Sequence, residues 1–143
     1  MPRVDANELA GQLRLSITRL ARILRQQDTL GLGATLTSAL ATVNHHGPLT
    51  TGELATREHV APPSITRVVD KLEQQGLVAR RPHPTDGRVV VIEVTAEGRE
   101  RILESRSRRT AWLAERLRDL PPADLECLAG AAAILARLTE PAA

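Results

Sequence analysis

The sequence predicts a mostly α-helical protein with one small β-hairpin, and three observations lead there. Apolar residues recur at steps of three and four in segment after segment, which is the spacing of one helical face. Residues 77–94 break that rhythm, with β-branched residues leading away from an Asp86-Gly87 reversal. Aromatic residues make up 1% of the 143 positions, Trp112 being the only one, so aliphatic side chains must build the core, which suits packed helices.

The elements follow in chain order. Leu9, Leu13, Ile17, Leu20 and Leu24 mark one face of a first helix, with Arg14, Arg19, Arg22 and Arg25 on the others. Leu36, Ala39, Leu40 and Val43 place a second helix over 35–46, stopped by Gly47-Pro48. Thr50-Thr51-Gly52-Glu53 reads as a capping box opening a short helix to Glu58, in which hydroxyl and carboxylate each take an orphan amide of the first turn. His59-Val60-Ala61 breaks it, and Pro62 suits the first position of the next helix, where no amide is missed. Ala61 brings no side-chain cap to that helix, a deficit of about 1 kcal/mol.

Ile65, Val68, Val69 and Leu72 form the buried stripe of this helix, and Gly76 supplies its left-handed end, with Leu77 folding back over it. Strands are expected at 77–81 and 89–94, joined by the loop 83–87. Thr95 caps a long helix over 96–118, charged in its first half and carrying Ile102, Leu103, Trp112, Leu113 and Leu117 as apolar contacts. Pro121-Pro122 opens a last helix with Leu125, Leu128, Ala132 and Leu135 on one face.

The length suits one domain, 1–143. Within it, 35–94 can close a small core unaided, whereas the helical segments 8–30 and 96–139 carry apolar stripes that this core does not cover. Burying those stripes against a second copy is the economical solution, so a homodimer is expected.

Composition excludes several classes of function. The start of the chain lacks the basic-then-apolar order of a signal peptide, and no apolar run approaches a membrane span, which points to a cytoplasmic protein without a membrane partner. Cys127 is the single cysteine, so neither an intramolecular disulfide nor a Cys-based metal site is available. It falls near an apolar stripe and reads as a buried small hydrophobe. Of the four histidines, His45 and His46 are adjacent on a helix and point apart, so no metal or cofactor is expected, and nothing suggests an enzyme. The formal net charge of +2 argues only weakly for a polyanionic partner, so the placement of the arginines must carry that case. Without Phe or Tyr, the chain lacks the parts for a row of aromatic platforms on which single-stranded bases stack.

At Thr50 to Val94 the chain resembles the MarR family of bacterial winged helix-turn-helix regulators. The matching text is G-P-L-T-T-G-E-L-A, then V-A-P-P-S-I-T-R-V-V-D-K-L-E-Q-Q-G-L-V-A-R-R, then D-G-R, a strand, and V-T-A-E-G at 94–98. The resemblance implies a winged helix-turn-helix whose β-hairpin is the wing, with N- and C-terminal dimerisation helices. It implies a homodimer on inverted-repeat double-stranded DNA, often repressing a neighbouring gene and often answering a small-molecule effector. It also implies that the helix from Pro62 is the recognition helix and that Arg88 is the wing-tip arginine. The lack of Phe and Tyr departs from the lining an aromatic effector would want.

The chemistry of groove recognition then names candidates. Ser64, Thr66 and Arg67 are short polar groups and a guanidinium near the start of a recognition helix, fit for base edges. Lys71 and Arg57 suit phosphates, as do Arg80 and Arg81 at the base of the wing, of which one faces DNA and the other the body of the protein. Arg88 on the hairpin tip suits the minor groove, with Asp86 as its support. Leu13, Ile17, Leu36, Leu40 and Trp112 are the candidate lining of an effector pocket. The competing reading is a protein-interaction module, such as an antirepressor, built on the same winged-helix dimer.

Overall fold

A computed structural model describes residues 3–27 and 30–141. The chain divides into two units, 1–109 and 110–143. In order it forms α1 (Ala6–Gln27), α2 (Ala34–His46), β1 (Leu49–Thr50), α3 (Thr51–Glu58), α4 (Pro62–Gln74), β2 (Val78–Pro82), β3 (Val90–Val94), α5 (Ala96–Arg118) and α6 (Pro122–Leu138). The predicted architecture, mostly helical with a small β wing, is present.

Local chemistry sets most of these boundaries. The Thr50 hydroxyl accepts the Glu53 amide at 3.1 Å and caps α3. The other half of the expected capping box does not form, because Thr50 belongs to β1 and is paired with Val91. Pro62 opens α4 with no side-chain cap at Ala61, as its sequence implied. At the far end Gly76 has φ 74°, its amide reaches the Glu73 carbonyl at 2.9 Å, and the Leu77 amide reaches the Leu72 carbonyl at 3.0 Å. This Schellman closure folds Leu77 into the core and delays β2 by one residue from its predicted start.

The sheet has the order β1-β3-β2, all antiparallel. Leu49 and Thr50 pair with Ile92 and Val91, and Val78 through Pro82 pair with Val94 through Val90. A strand of two residues carries no periodicity, which is why β1 could not be read from the sequence. The core lies between α2, α3, α4 and the sheet: Leu40, Leu54, Ile65, Val69, Leu72, Leu77 and Ile92 are fully buried. Residues 35–94 thus supply almost all of the core, with Leu30 and Ile102 at its margins.

The first helix differs from expectation at its end. It stops at Gln27, and residues 28 and 29 of the expected 8–30 segment lie outside the described residues. Leu30, Gly31 and Gly33 have φ values of 59°, 68° and 78°, which no α-helix accommodates, and Leu30 turns into the core. The Arg101 guanidinium on α5 fastens that turn by donating to the Leu30 carbonyl at 3.3 Å. No residue of α1 is buried, and Leu9, Ile17 and Leu20 lie 41%, 46% and 42% exposed.

Where α5 leaves the sheet, the Thr95 hydroxyl accepts the Gly98 amide at 3.0 Å and donates to the Gly76 carbonyl at 2.6 Å, so the predicted cap also ties the helix to the end of α4. In the second unit, Trp112 is half-buried beneath the Arg116 guanidinium, 3.5 Å from the ring centroid. Cys127 corrects the sequence reading: it is exposed on α6, a helix with no buried residue on which Leu128 is also exposed. Among the described residues no helix is long and apolar enough to cross a membrane.

Candidate nucleic-acid interface

Helices α3 and α4 are joined by a tight turn. His59 takes φ 54° at the end of α3, and the Val60 amide returns to the Ala55 carbonyl at 3.1 Å, which frees Ala61 and Pro62 to start α4 in a new direction. Ile65, Val68, Val69 and Leu72 pin α4 to the core. The helical period then places Ser64, Arg67, Lys71 and Gln74 along the outer side, with Thr66, Asp70 and Glu73 on the flank beside them. All seven are exposed. The Thr66 hydroxyl donates to the Pro62 carbonyl at 3.0 Å, which leaves its lone pairs outward. Among the described residues the side chains of Arg67 and Lys71 make no hydrogen bond or ion pair, and Arg57 on α3 is exposed.

The wing is braced at its tip. The His83 amide donates to the Val89 carbonyl at 2.7 Å and the Val89 amide to the Asp86 carbonyl at 3.0 Å, while Thr85 donates its amide to His83 Nδ1 at 3.2 Å. Asp86 Oδ1 accepts the Arg88 amide at 3.1 Å and lies 3.5 Å from Arg88 Nε. The Arg88 side chain is 95% exposed.

Arg80 and Arg81 do point to opposite sides of their strand, and both have partners within the chain. Arg80 donates to Glu73 at 2.7 Å and to Asp70 at 2.6 Å, two carboxylates one turn apart on α4. The Asp70 hydrogen bond, against an opposing desolvation, and the charge of Glu73 raise the Arg80 guanidinium above its ordinary pKa. Arg81 is paired with Glu93 across the hairpin.

The five residues expected around an effector lie on three elements, α1, α2 and α5. Leu40 is wholly buried, Leu36 packs against the same core, Leu13 and Ile17 lie on α1, and Trp112 belongs to the second unit. A groove of about 570 Å³ opens instead beside α2, lined by Arg22, Arg25, Ser38, Thr42, His45, His46 and Arg109 among others. None of the five lines it: the buried face of α2 is spent on the core, and the groove lies against its other face, of alanines, hydroxyls and histidines. The signal for this groove was present in the sequence, as hydroxyls and histidines at helical spacing opposite the Leu36-Leu40-Val43 stripe. Ser38 and Thr42 also donate to the Glu58 carboxylate, at 2.7 and 2.5 Å, which fastens α2 to α3. Desolvation at the groove wall, then Arg57 and His45, hold His46 below the ordinary imidazole pKa. Among the described residues no cluster of three or more His, Cys, Asp or Glu forms a ligand set.

Residues 32–90, which hold the helix-turn-helix and most of the wing, match the model of the MarR family. An HTH-type transcriptional regulator of Mycobacterium tuberculosis is 41% identical over 133 residues, covering 92% of this chain and 93% of that protein. The chain belongs to the MarR family. The HTH-type transcriptional repressor MdtR of Bacillus subtilis is 30% identical over 141 residues, spanning 95% and 91% of the two chains. The crystal structure of a MarR family protein from Bacillus stearothermophilus superimposes with a TM-score of 0.63 at 27% identity, covering 94% of this chain and 95% of that one. This MarR-family protein is therefore a DNA-binding transcriptional regulator and not an enzyme.

Proposed function

We propose that this MarR-family regulator is a cytoplasmic repressor that binds a palindromic operator as a homodimer and is released by a small organic anion. One observation carries the DNA-binding geometry: Arg67 on the outer side of α4 and Arg88 on the wing tip both project, the first unpaired among the described residues and the second 95% exposed. In this reading 35–94 is the DNA-reading region. Arg67 forks onto a guanine edge, and Ser64 and Thr66 contact bases or phosphates. Arg57, Lys71 and Arg81 fix the register on phosphates, and Arg88 enters the minor groove with Asp86 behind it.

The exposed apolar residues of α1 and α6 support dimerisation through the outer helices, since Leu9, Ile17, Leu20, Leu128, Ile134 and Leu138 need a partner surface. Two-fold symmetry then calls for half-sites about one helical turn apart, roughly 34–36 Å. Repression is supported by the likeness to MdtR, which is named a repressor. The groove beside α2, with three arginines, two histidines and, among the described residues, no carboxylate in its lining, suits a small anion better than a neutral or cationic compound.

Sedimentation velocity and a gel shift with DNA upstream of its own gene test the reading. A dimer that retards the duplex is expected, with retardation falling steeply as salt rises. A monomer that ignores duplex at low ionic strength refutes it.

A further inference from the structure

The geometry points to Arg80 as a positioning residue that neutralises Glu73 and holds Asp70 away from Arg67, so that the recognition helix meets DNA with its guanidinium unpaired. The inference rests on the DNA-binding reading above. Asp70 stands one turn from Arg67 on α4, the spacing at which an arginine and a carboxylate pair readily. In the structure that pair does not form. Both carboxylates are instead turned toward β2, where Arg80 Nη2 meets Asp70 at 2.6 Å and Nη1 meets Glu73 at 2.7 Å, and the Arg80 amide donates to Glu73 at 3.3 Å. The Arg80 side chain is only 31% exposed, while the carboxylates are 50% and 42% exposed. The guanidinium is thus committed to two carboxylates, a poor state from which to reach a phosphate.

Two effects follow from this arrangement. Two negative charges on the helix that must approach a polyanion are neutralised by Arg80. Asp70 is also occupied, so it does not capture Arg67.

The probe is a duplex selected from a random library by the wild-type protein, with binding read by fluorescence anisotropy across a salt series. R80A is expected to bind about tenfold more weakly, because Asp70 and Glu73 lose their counter-charge beside the DNA. R80A/D70N/E73Q is expected to return to within about threefold of wild type, because the carboxylates that Arg80 holds are gone. Urea unfolding of each variant confirms that it is folded.

A triple variant as weak as R80A overturns the inference, because the loss then lies with Arg80 itself and marks a direct contact. Failure of the wild type to select any duplex refutes the DNA-binding reading itself, a different outcome from either.

Discussion

Gly98 stands at the point where α5 leaves the wing, and a single methyl group there is the sharpest test of how the fold is assembled. A Cβ at this position would lie 2.2 Å from the Leu77 carbonyl oxygen, 3.1 Å from its carbon and 2.8 Å from Val94 Cγ2. Ordinary contact needs about 3.5 Å, so the helix and the start of β2 must part by roughly 1 Å. Neither neighbour yields easily: Leu77 is fully buried, and its carbonyl already accepts the Thr95 amide at 3.0 Å.

Parting them strains the Thr95 cap, whose hydroxyl links the Gly98 amide to the Gly76 carbonyl. Overpacking costs about 1–3 kcal/mol and a weakened hydrogen bond about 1 kcal/mol. The better helix propensity of alanine offsets about 1 kcal/mol of that. Gly98→Ala is therefore expected to lose about 2 kcal/mol, read by urea unfolding followed by circular dichroism at fixed protein concentration. Gly52→Ala is the control, since its Cβ would meet only the Thr50 hydroxyl at 4.0 Å. If Gly98→Ala is as stable as wild type while the control behaves as expected, the close packing of α5 on β2 is not what sets this junction.

Three further outcomes are expected. Arg88→Ala should lower the salt slope of DNA binding by about one phosphate, whereas Arg67→Ala should relax sequence preference by about 1–3 kcal/mol at one base pair, both read by anisotropy against the selected and a scrambled duplex. Leu20→Glu places a charge on the exposed apolar face of α1 and should shift sedimentation toward the monomer with little change in the helical circular dichroism signal. His46 titrates below the ordinary imidazole value when folded, so the unfolded chain takes up its proton first as pH falls. Its contribution is fully present above about pH 6.5 and declines as pH drops from there toward the folded value, so His46→Gln should flatten the melting temperature across that window.

The sequence alone determined the elements whose limits are set within about four residues, because capping and turn chemistry act over that distance. Thr50, Pro62, Gly76, Thr95 and Pro122 each met the backbone groups beside them, and α3 and α5 began and ended where their text indicated. The stripes 39–43, 54–55 and 65–72 became the core because only one face of each helix is apolar enough to be buried.

What tertiary structure decided lies between residues far apart in the chain. The pairing of Leu49 and Thr50 with β3 depends on a strand some forty positions away, and two residues carry no period that could announce it. Arg80 read as a phosphate ligand until β2 laid it against the Asp70 and Glu73 carboxylates, and no local spacing distinguishes those two fates. The groove beside α2 belongs to the face of alanines, hydroxyls and histidines that remained after the leucine and valine face of the same helix was consumed by the core. A side chain's partner is fixed by where its element is packed, and packing is a property of the whole chain.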